Sequence, residues 1–272
     1  MGESPEIRRL HKLASLVSSG EYRPCRGALK VGVDPGTANI ALVVLDKEDH
    51  PVAGISHPSR AVKDGVVVDF LTASRVVSGL KATLEARLGR TLTHAATAIP
   101  PGISAGNTKV IVNMVEAAGF EVTAVVDEPV AAALALNIQD GAVVDVGGGT
   151  TGISILRCGK VIFSADEPTG GNHMTLVLAG ALSMPFAEAE EMKKAPEHQD
   201  QVFTLVRPVA EKMAYLVAGW LAHYPVKQIY LVGGASSFHQ FAEVFRQATG
   251  KEVIQAIQPL LVTPLGIAMH SR

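Results

Sequence analysis

One short pattern occurs twice in this chain, and it constrains the fold more than any other feature. Residues 31–45 read VGVDPGTANIALVVL and residues 141–156 read GAVVDVGGGTTGISIL. In each, apolar residues lead into an aspartate, Asp34 or Asp145. Glycine follows (Gly36 in one; Gly147, Gly148 and Gly149 in the other), then threonine (Thr37; Thr150 and Thr151), then a second apolar run. Strand, glycine turn, strand is the signature of a β-hairpin. Residues without a Cβ let backbone N–H groups approach an anion closely, and the threonine hydroxyls add donors. An aspartate beside a phosphate is repulsive unless a cation lies between them, so Asp34 and Asp145 imply Mg2+, directly or through its waters. One such hairpin is an ordinary turn. Two in the same order read as a duplicated unit, and facing each other they would hold a triphosphate and its metal from both sides.

Composition narrows the setting. With 272 residues, 47% of them hydrophobic, the chain can bury one large core or two moderate ones. A formal net charge of -2 gives no reason to expect nucleic acid or an anionic membrane as partner. Cys25 and Cys158 make no metal-ligand spacing and fit a reducing cytoplasm. The opening MGESPEIRRLHKLASL lacks the apolar core of a secretory signal. No apolar run approaches the roughly 20 residues of a membrane span. The expectation is a cytoplasmic protein.

Along the chain, residues 4–18 have helical spacing in Ile7, Leu10, Leu13, Ala14 and Val17, with Ser4 as cap and Pro5 in the first turn. Residues 18–27 read as a linker. This opening segment is either an ordered extension on the domain surface or a docking peptide. Strands are expected near 52–57, 94–99 and 122–126, and helices at 71–88 and from Ser104. DEPVAAALAL (127–136) then sets Glu128 between a strand end and a helix start, where open α/β sheets bind ligands. There Glu128 either orients a water towards a terminal phosphate or merely caps the helix. Gly170, Gly171 and Asn172 open a helix whose N–H groups can meet an anion. Glu190 and Lys193 share a helix face, which on spacing alone is a solvated pair worth about 0.2–0.5 kcal/mol. A long helix over 202–221 follows, then a strand running into Gly233, Gly234, Ala235 and Ser236, where a base or ribose can lie on bare backbone. Thr263-Pro264 opens a final helix.

Taken in order, the Asp–Gly–Thr hairpin, the Asp-Glu-Pro helix start, the Asp–Gly-Gly-Gly–Thr-Thr hairpin, TGGNH and the strand ending in Gly-Gly-Ala resemble the actin/DnaK/hexokinase superfamily of ATPases, from about Leu29 to Met269. VKDGVVVDF, DEPVAAA, VVDVGGGTTGISIL and TPLGIA look most like its DnaK- and MreB-like branch. With the N-terminal extension and HAATAIPPG, the whole pattern is similar to the ethanolamine-utilisation EutJ family. That family accompanies bacterial microcompartment operons and is usually described as chaperone-like. The resemblance implies a duplicated actin-like (ribonuclease H-like) α/β fold that binds ATP and Mg2+. By position it makes Asp34, Gly36, Thr37, Ala38 and Asn39 the first phosphate loop, and Asp145, Gly147, Gly148, Gly149, Thr150 and Thr151 the second. Glu128 falls at the residue that positions the attacking water, Gly170, Gly171 and Asn172 at a ribose/phosphate turn. Glu190 and Lys193 flank ribose and adenine, and Gly233 to Ser236 form the adenosine loop. Three departures stand out. DnaK's catalytic lysine has no clear counterpart, and Lys63 aligns with a non-catalytic lysine of MreB-like proteins. The segment after the Gly-Gly turn is short, so the upper lobe of the second domain is expected to be reduced. No peptide-binding domain follows the ATPase core, so "chaperone" does not carry over with the resemblance.

The expected organisation is an N-terminal helical extension and linker (1–27), domain I (28–140 with 264–272) and domain II (141–263). The Glu128 and Pro264 helices would form the hinge. The expected function is a slow Mg-dependent ATPase whose closure switches affinity for a protein partner, such as microcompartment enzymes or shell. The rival is a non-hydrolysing adaptor; a small-molecule kinase and a filament former rank lower. The residues leave the oligomeric state open.

Overall fold

Each glycine hairpin stands inside a five-stranded sheet of the structure, a computed structural model that describes residues 3–272. Helix α1 (Pro5–Ser19) comes first. The first sheet is built from β1 (Leu29–Pro35), β2 (Asn39–Asp46) and β3 (Pro51–Pro58). After a small hairpin of β4 (Val62–Lys63) and β5 (Val66–Val67) and helix α2 (Phe70–Leu88) come β6 (His94–Ile99), helix α3 (Ala105–Ala117) and β7 (Glu121–Asp127). Helix α4 (Glu128–Ala135) leads to the second sheet: β8 (Gly141–Val146), β9 (Thr151–Arg157) and β10 (Lys160–Glu167). Helices α5 (Gly171–Leu182), α6 (Phe186–Lys194) and α7 (Gln199–Leu221) follow. Then come β11 (Gln228–Val232), α8 (Phe241–Thr249), β12 (Glu252–Gln255) and α9 (Pro259–His270).

The sheet orders are β3-β2-β1-β6-β7 and β10-β9-β8-β11-β12. In both, the first three strands in sequence are antiparallel and the outer two are parallel additions. The duplication read from the hairpins thus extends to the whole sheet.

Helix α1 is a layer of the fold. β2 is buried almost throughout, which requires cover on both faces. Val77, Leu80 and Leu84 of α2 pack with Ile40, Leu42 and Val44 on one side, and Leu10 and Leu13 of α1 pack with Val43 and Leu45 on the other. Ser4 accepts from the Ile7 N–H at 3.3 Å and Gly20 closes the helix at φ 69°. The apolar stripe that a docking peptide would use is therefore already engaged.

The two linking helices exchange sheets. α4 follows the first sheet yet lies on β8 and β9, whereas α9 follows the second sheet yet lies on β1, β2 and β6. They cross where a Cβ on Gly266 would stand 1.8 Å from the Ala131 carbonyl oxygen. One expectation is corrected here. The last helix begins at Pro259, not at Thr263: Gln258 takes the left-handed conformation (φ 52°) and Pro259 fills the first turn, leaving Pro264 inside the helix.

Candidate functional site

A cleft of about 320 Å³ opens between the sheets, within the range of small-ligand sites. Its floor comes from the two hairpins. Asp34 in β1 and Asp145 in β8 are each next to last in their strands, and both line the cleft. Gly36, Thr37, Ala38 and Asn39 line one side, and Gly147, Gly148, Gly149 and Thr150 the other. The turns touch: a Cβ on Gly148 would stand 2.8 Å from the Ala38 Cβ, and one on Gly149 2.7 Å from the Thr37 Oγ1. Only glycine permits this approach.

Glu128, at the start of α4, lines the same floor. Its carboxyl makes no cap; burial, then the charges of Asp145, Asp34, Asp166 and Asp127, holds its pKa well above the usual range. Burial and the Asp145 charge push Asp34 up to about 7. Burial pushes Asp145 to about 6, held back by the Thr263 hydroxyl of α9, which donates to it. No basic side chain figures among the groups that set these three values. Three recessed carboxyls without a counter-charge offer oxygens to a hard divalent cation such as Mg2+, but those oxygens do not all lie within 4.8 Å of one another, so such an ion would be held through its waters.

The far end of the cleft is different. Lys193 donates to Glu190 at 2.7 Å, to Thr175 Oγ1 at 2.7 Å and to the Gly171 carbonyl at 3.0 Å. The pair is 17% and 11% exposed, so it is a packed bridge between α5 and α6, and the solvated-pair reading from spacing fails. Burial lowers the Lys193 pKa against the pull of Glu190. Burial alone would raise Glu190, but Lys193 and the Thr175 hydroxyl bring it below its usual value. Gly233, Gly234 and Ala235 face this bridge; a Cβ on Gly171 would meet that of Ala235 at 3.2 Å. Gly233 has φ 87°, and a Cβ there would strike Asp145.

Three residues expected at the site stand behind it. Thr151 donates to the Thr169 carbonyl at 2.6 Å, Ser236 donates to the Gly233 carbonyl at 2.8 Å, and Gly170 packs on the backbone of Gly147 to Gly149. The anion-binding reading of the α5 N-terminus is corrected as well. The Gly171 and Asn172 N–H groups donate to the Gly147 and Gly148 carbonyls at 2.9 and 2.7 Å, and Gly170 N–H donates to His173 Nδ1. They brace the second loop, although Gly171 and Asn172 still line the cleft.

Sequence reasoning missed Asp166. It pairs across from Gly152 in β10, behind Thr150, and its Oδ1 is buried without a partner. Burial pushes it up to about 7, partly offset by the Thr150 hydroxyl. A signal was present: it lies just before the Gly-Gly turn, on the strand paired with the second hairpin. Thr263, Gly65 and Pro100 were also not singled out for the cleft they line.

The MreB/Mbl protein model matches residues 54–182, and the cell division protein FtsA model matches residues 142–266. The ethanolamine utilization protein EutJ of Escherichia coli (strain K12) is 41% identical over 245 residues, which is 90% of this chain and 86% of that one. The chain belongs to the EutJ family. A crystal structure of EutJ from Carboxydothermus hydrogenoformans has 48% sequence identity and a TM-score of 0.92, covering 97% of this chain and 98% of that one. MreB5 of Spiroplasma citri, solved bound to ADP, covers 88% of this chain and 94% of its own at 16% identity and a TM-score of 0.70. The chain therefore has the actin-like ATPase fold. Among its described residues no helix is long and apolar enough to cross a membrane.

Proposed function

We propose that this EutJ-family chain binds ATP with Mg2+ in the inter-sheet cleft, hydrolyses it slowly, and uses the accompanying closure to switch its affinity for a protein partner. The observation that carries this reading is the convergence of Asp34, Asp145 and Glu128, from three separate segments, on one floor with no basic counter-charge. Asp34 and Asp145 would hold Mg2+ through its waters, and the bound ion would neutralise charge on the terminal phosphates. The hairpin N–H groups around Gly36 and Gly148 and the Thr37 and Thr150 hydroxyls hold the phosphates. Gly233 to Ala235 give the base a bare-backbone wall, with the Lys193–Glu190 bridge on its other side. Glu128 orients a water towards the terminal phosphate, which a carboxylate on the floor can do and a solvated helix cap cannot. A relative of the same fold, MreB5 of Spiroplasma citri, was solved bound to ADP, which supports a nucleotide as occupant.

The partner switch requires that the open and closed states contact that partner differently. Ethanolamine utilisation in the family name points to microcompartment enzymes or shell as partner and to the cytoplasm as setting. A second reading, a non-hydrolysing adaptor, is favoured by one observation. The only basic side chains on the cleft wall among the described residues, Lys193 and Lys194, lie at its far end beside Glu190. Calorimetric titration of the full chain with ATP separates a nucleotide binder from an adaptor with an empty cleft, and phosphate release separates a binder from a hydrolase. Saturable binding that needs Mg2+ is expected; no heat with Mg2+ present would leave the adaptor.

A further inference from the structure

The duplicated sheets differ at one equivalent place, the outer edge of the third strand. β3 and β10 are both edge strands, each pairing inward with the middle strand of its hairpin. Each carries a bulge at the same register. In the first sheet Leu45 pairs with Pro51 and Val44 with Ala53, so Val52 is the extra residue. In the second, Leu156 pairs with Val161 and Ile155 with Phe163, so Ile162 is the extra residue. Val52 and Ile162 therefore correspond.

Their surroundings do not. The Val52 carbonyl accepts from the Arg23 N–H at 2.8 Å, and the Pro51 carbonyl accepts from Arg23 Nε at 3.0 Å. The extended segment after α1 thus lies along this edge, with the Arg23 guanidinium anchored on Asp46, the last residue of β2. Val52 itself is fully buried, its side chain in the cluster that α2 forms with β2. Along β10 no strand or helix of the described chain takes that place. Val161 is 42% exposed and Ile162 40% exposed. At the position of Asp46 the second sheet has Arg157, the last residue of β9, exposed beside the exposed Lys160. The nearby Asp140 is held on the Cys158 N–H of the turn.

We propose that the β10 edge is a docking site for an extended segment of a partner protein, which pairs at the Ile162 bulge and carries an acidic side chain where the internal segment carries Arg23. Main-chain pairing at an open edge supplies affinity and side chains at the rim supply selectivity. A bulge and a lysine are also common guards of an unpaired edge, but the matching bulge in β3 is where this chain seats its own segment. The reversed charge at Arg157 sets the partner's chemistry. This site is independent of nucleotide binding in the cleft.

The probe is a fluorescent synthetic peptide of residues 19–27 bearing Arg23→Glu and Cys25→Ser, compared with the same peptide retaining Arg23, both titrated with the full chain by anisotropy. The Glu peptide is expected to bind more tightly by about fivefold or more, as for reversing an exposed ion pair with two cations. The Arg157→Glu, Lys160→Glu double variant should invert that order, and Ile162→Asp should weaken both peptides. Circular dichroism melting confirms that these exposed substitutions leave the chain folded. Absence of binding at millimolar protein overturns the proposal, as does equal binding of both peptides. Dimerisation abolished by Ile162→Asp would also overturn it, assigning the edge to a second copy.

Discussion

Set beside each other, the loop after β1 and the loop after β8 carry different numbers of glycines, one against three. Gly36 is required by its own hairpin, since a Cβ there would stand 2.7 Å from the Asn39 carbonyl oxygen. Gly148 and Gly149 are required by the other half of the molecule: Ala38, Thr37 and Asp64 press on them. Support differs as well. The second loop is held by two N–H groups of α5, whereas the first is held by the Ser59 N–H donating to the Ala38 carbonyl at 3.1 Å. The duplicated motif has thus divided its work: one turn reaches across and the other is shaped and braced to receive it.

The largest expected effect tests whether catalysis belongs to the floor shared by both loops. Glu128→Ala should retain ATP binding by calorimetry while turnover falls at least about hundredfold, the usual contribution of a positioned base; unchanged turnover removes Glu128 from the mechanism. The receiving role of the second loop is broken next. Gly148→Val drives a branched side chain into Ala38, so the chain should lose about 1–3 kcal/mol, seen as a lower melting temperature, together with ATP binding. Unimpaired binding would mean that the loops separate freely.

The two aspartates can be compared in the same way. Asp145 accepts from Thr263, and no such donor restrains Asp34. Thr263→Val should weaken Mg2+-dependent ATP binding by about tenfold, the effect of losing one hydrogen bond to a charged group. A loss from Thr263→Val that is as large in an Asp145→Asn background as in the unaltered chain would show that the hydroxyl acts elsewhere. Asp166 gives a pH signature. Folded, it keeps its proton up to about 7; its reference value is 3.8. The folded state then binds more protons between those values, so the nucleotide-free chain loses stability as pH rises through this window and shows no further change from this group above it. Melting temperatures at pH 5 and pH 7.5 should differ less in Asp166→Asn; an unaltered slope refutes the assignment. The smallest effect belongs to Gly147→Ala, whose Cβ would meet only the Thr150 carbonyl oxygen at 3.7 Å. Its melting temperature should stay within about 2 °C, and a larger drop would show that all three glycines serve the contact.

Much of this was legible in the residues. The hairpins were readable because aspartate, glycine and threonine in that order are a local code, and turn chemistry acts over a few residues. Both halves of the cleft floor follow from it. Thr263 was not readable as the partner of Asp145, because 118 residues separate them and only the path of α9 brings them together. Asp166 escaped notice since an acid at the end of an exposed-looking strand shows its burial only once Thr150 and Gly152 lie against it. The α5 N-terminus misled for a related reason: free N–H groups are a sound inference from a helix start, but here the neighbouring loop supplies the acceptors. The solvated reading of Glu190 and Lys193 failed because Thr175 and Gly171, from another helix, complete their shell.

At the crossing of α4 and α9, the Gly266 backbone rests directly on the Ala131 carbonyl. Around that point Ala132, Ala133 and Ala135 of α4 pack with Leu261, Val262, Leu265 and Ala268 of α9, so the crossing is a close backbone seat ringed by small and branched side chains. Any side chain at position 266 would have to wedge the two linking helices apart, so the spacing between the two sheets is set at this one residue.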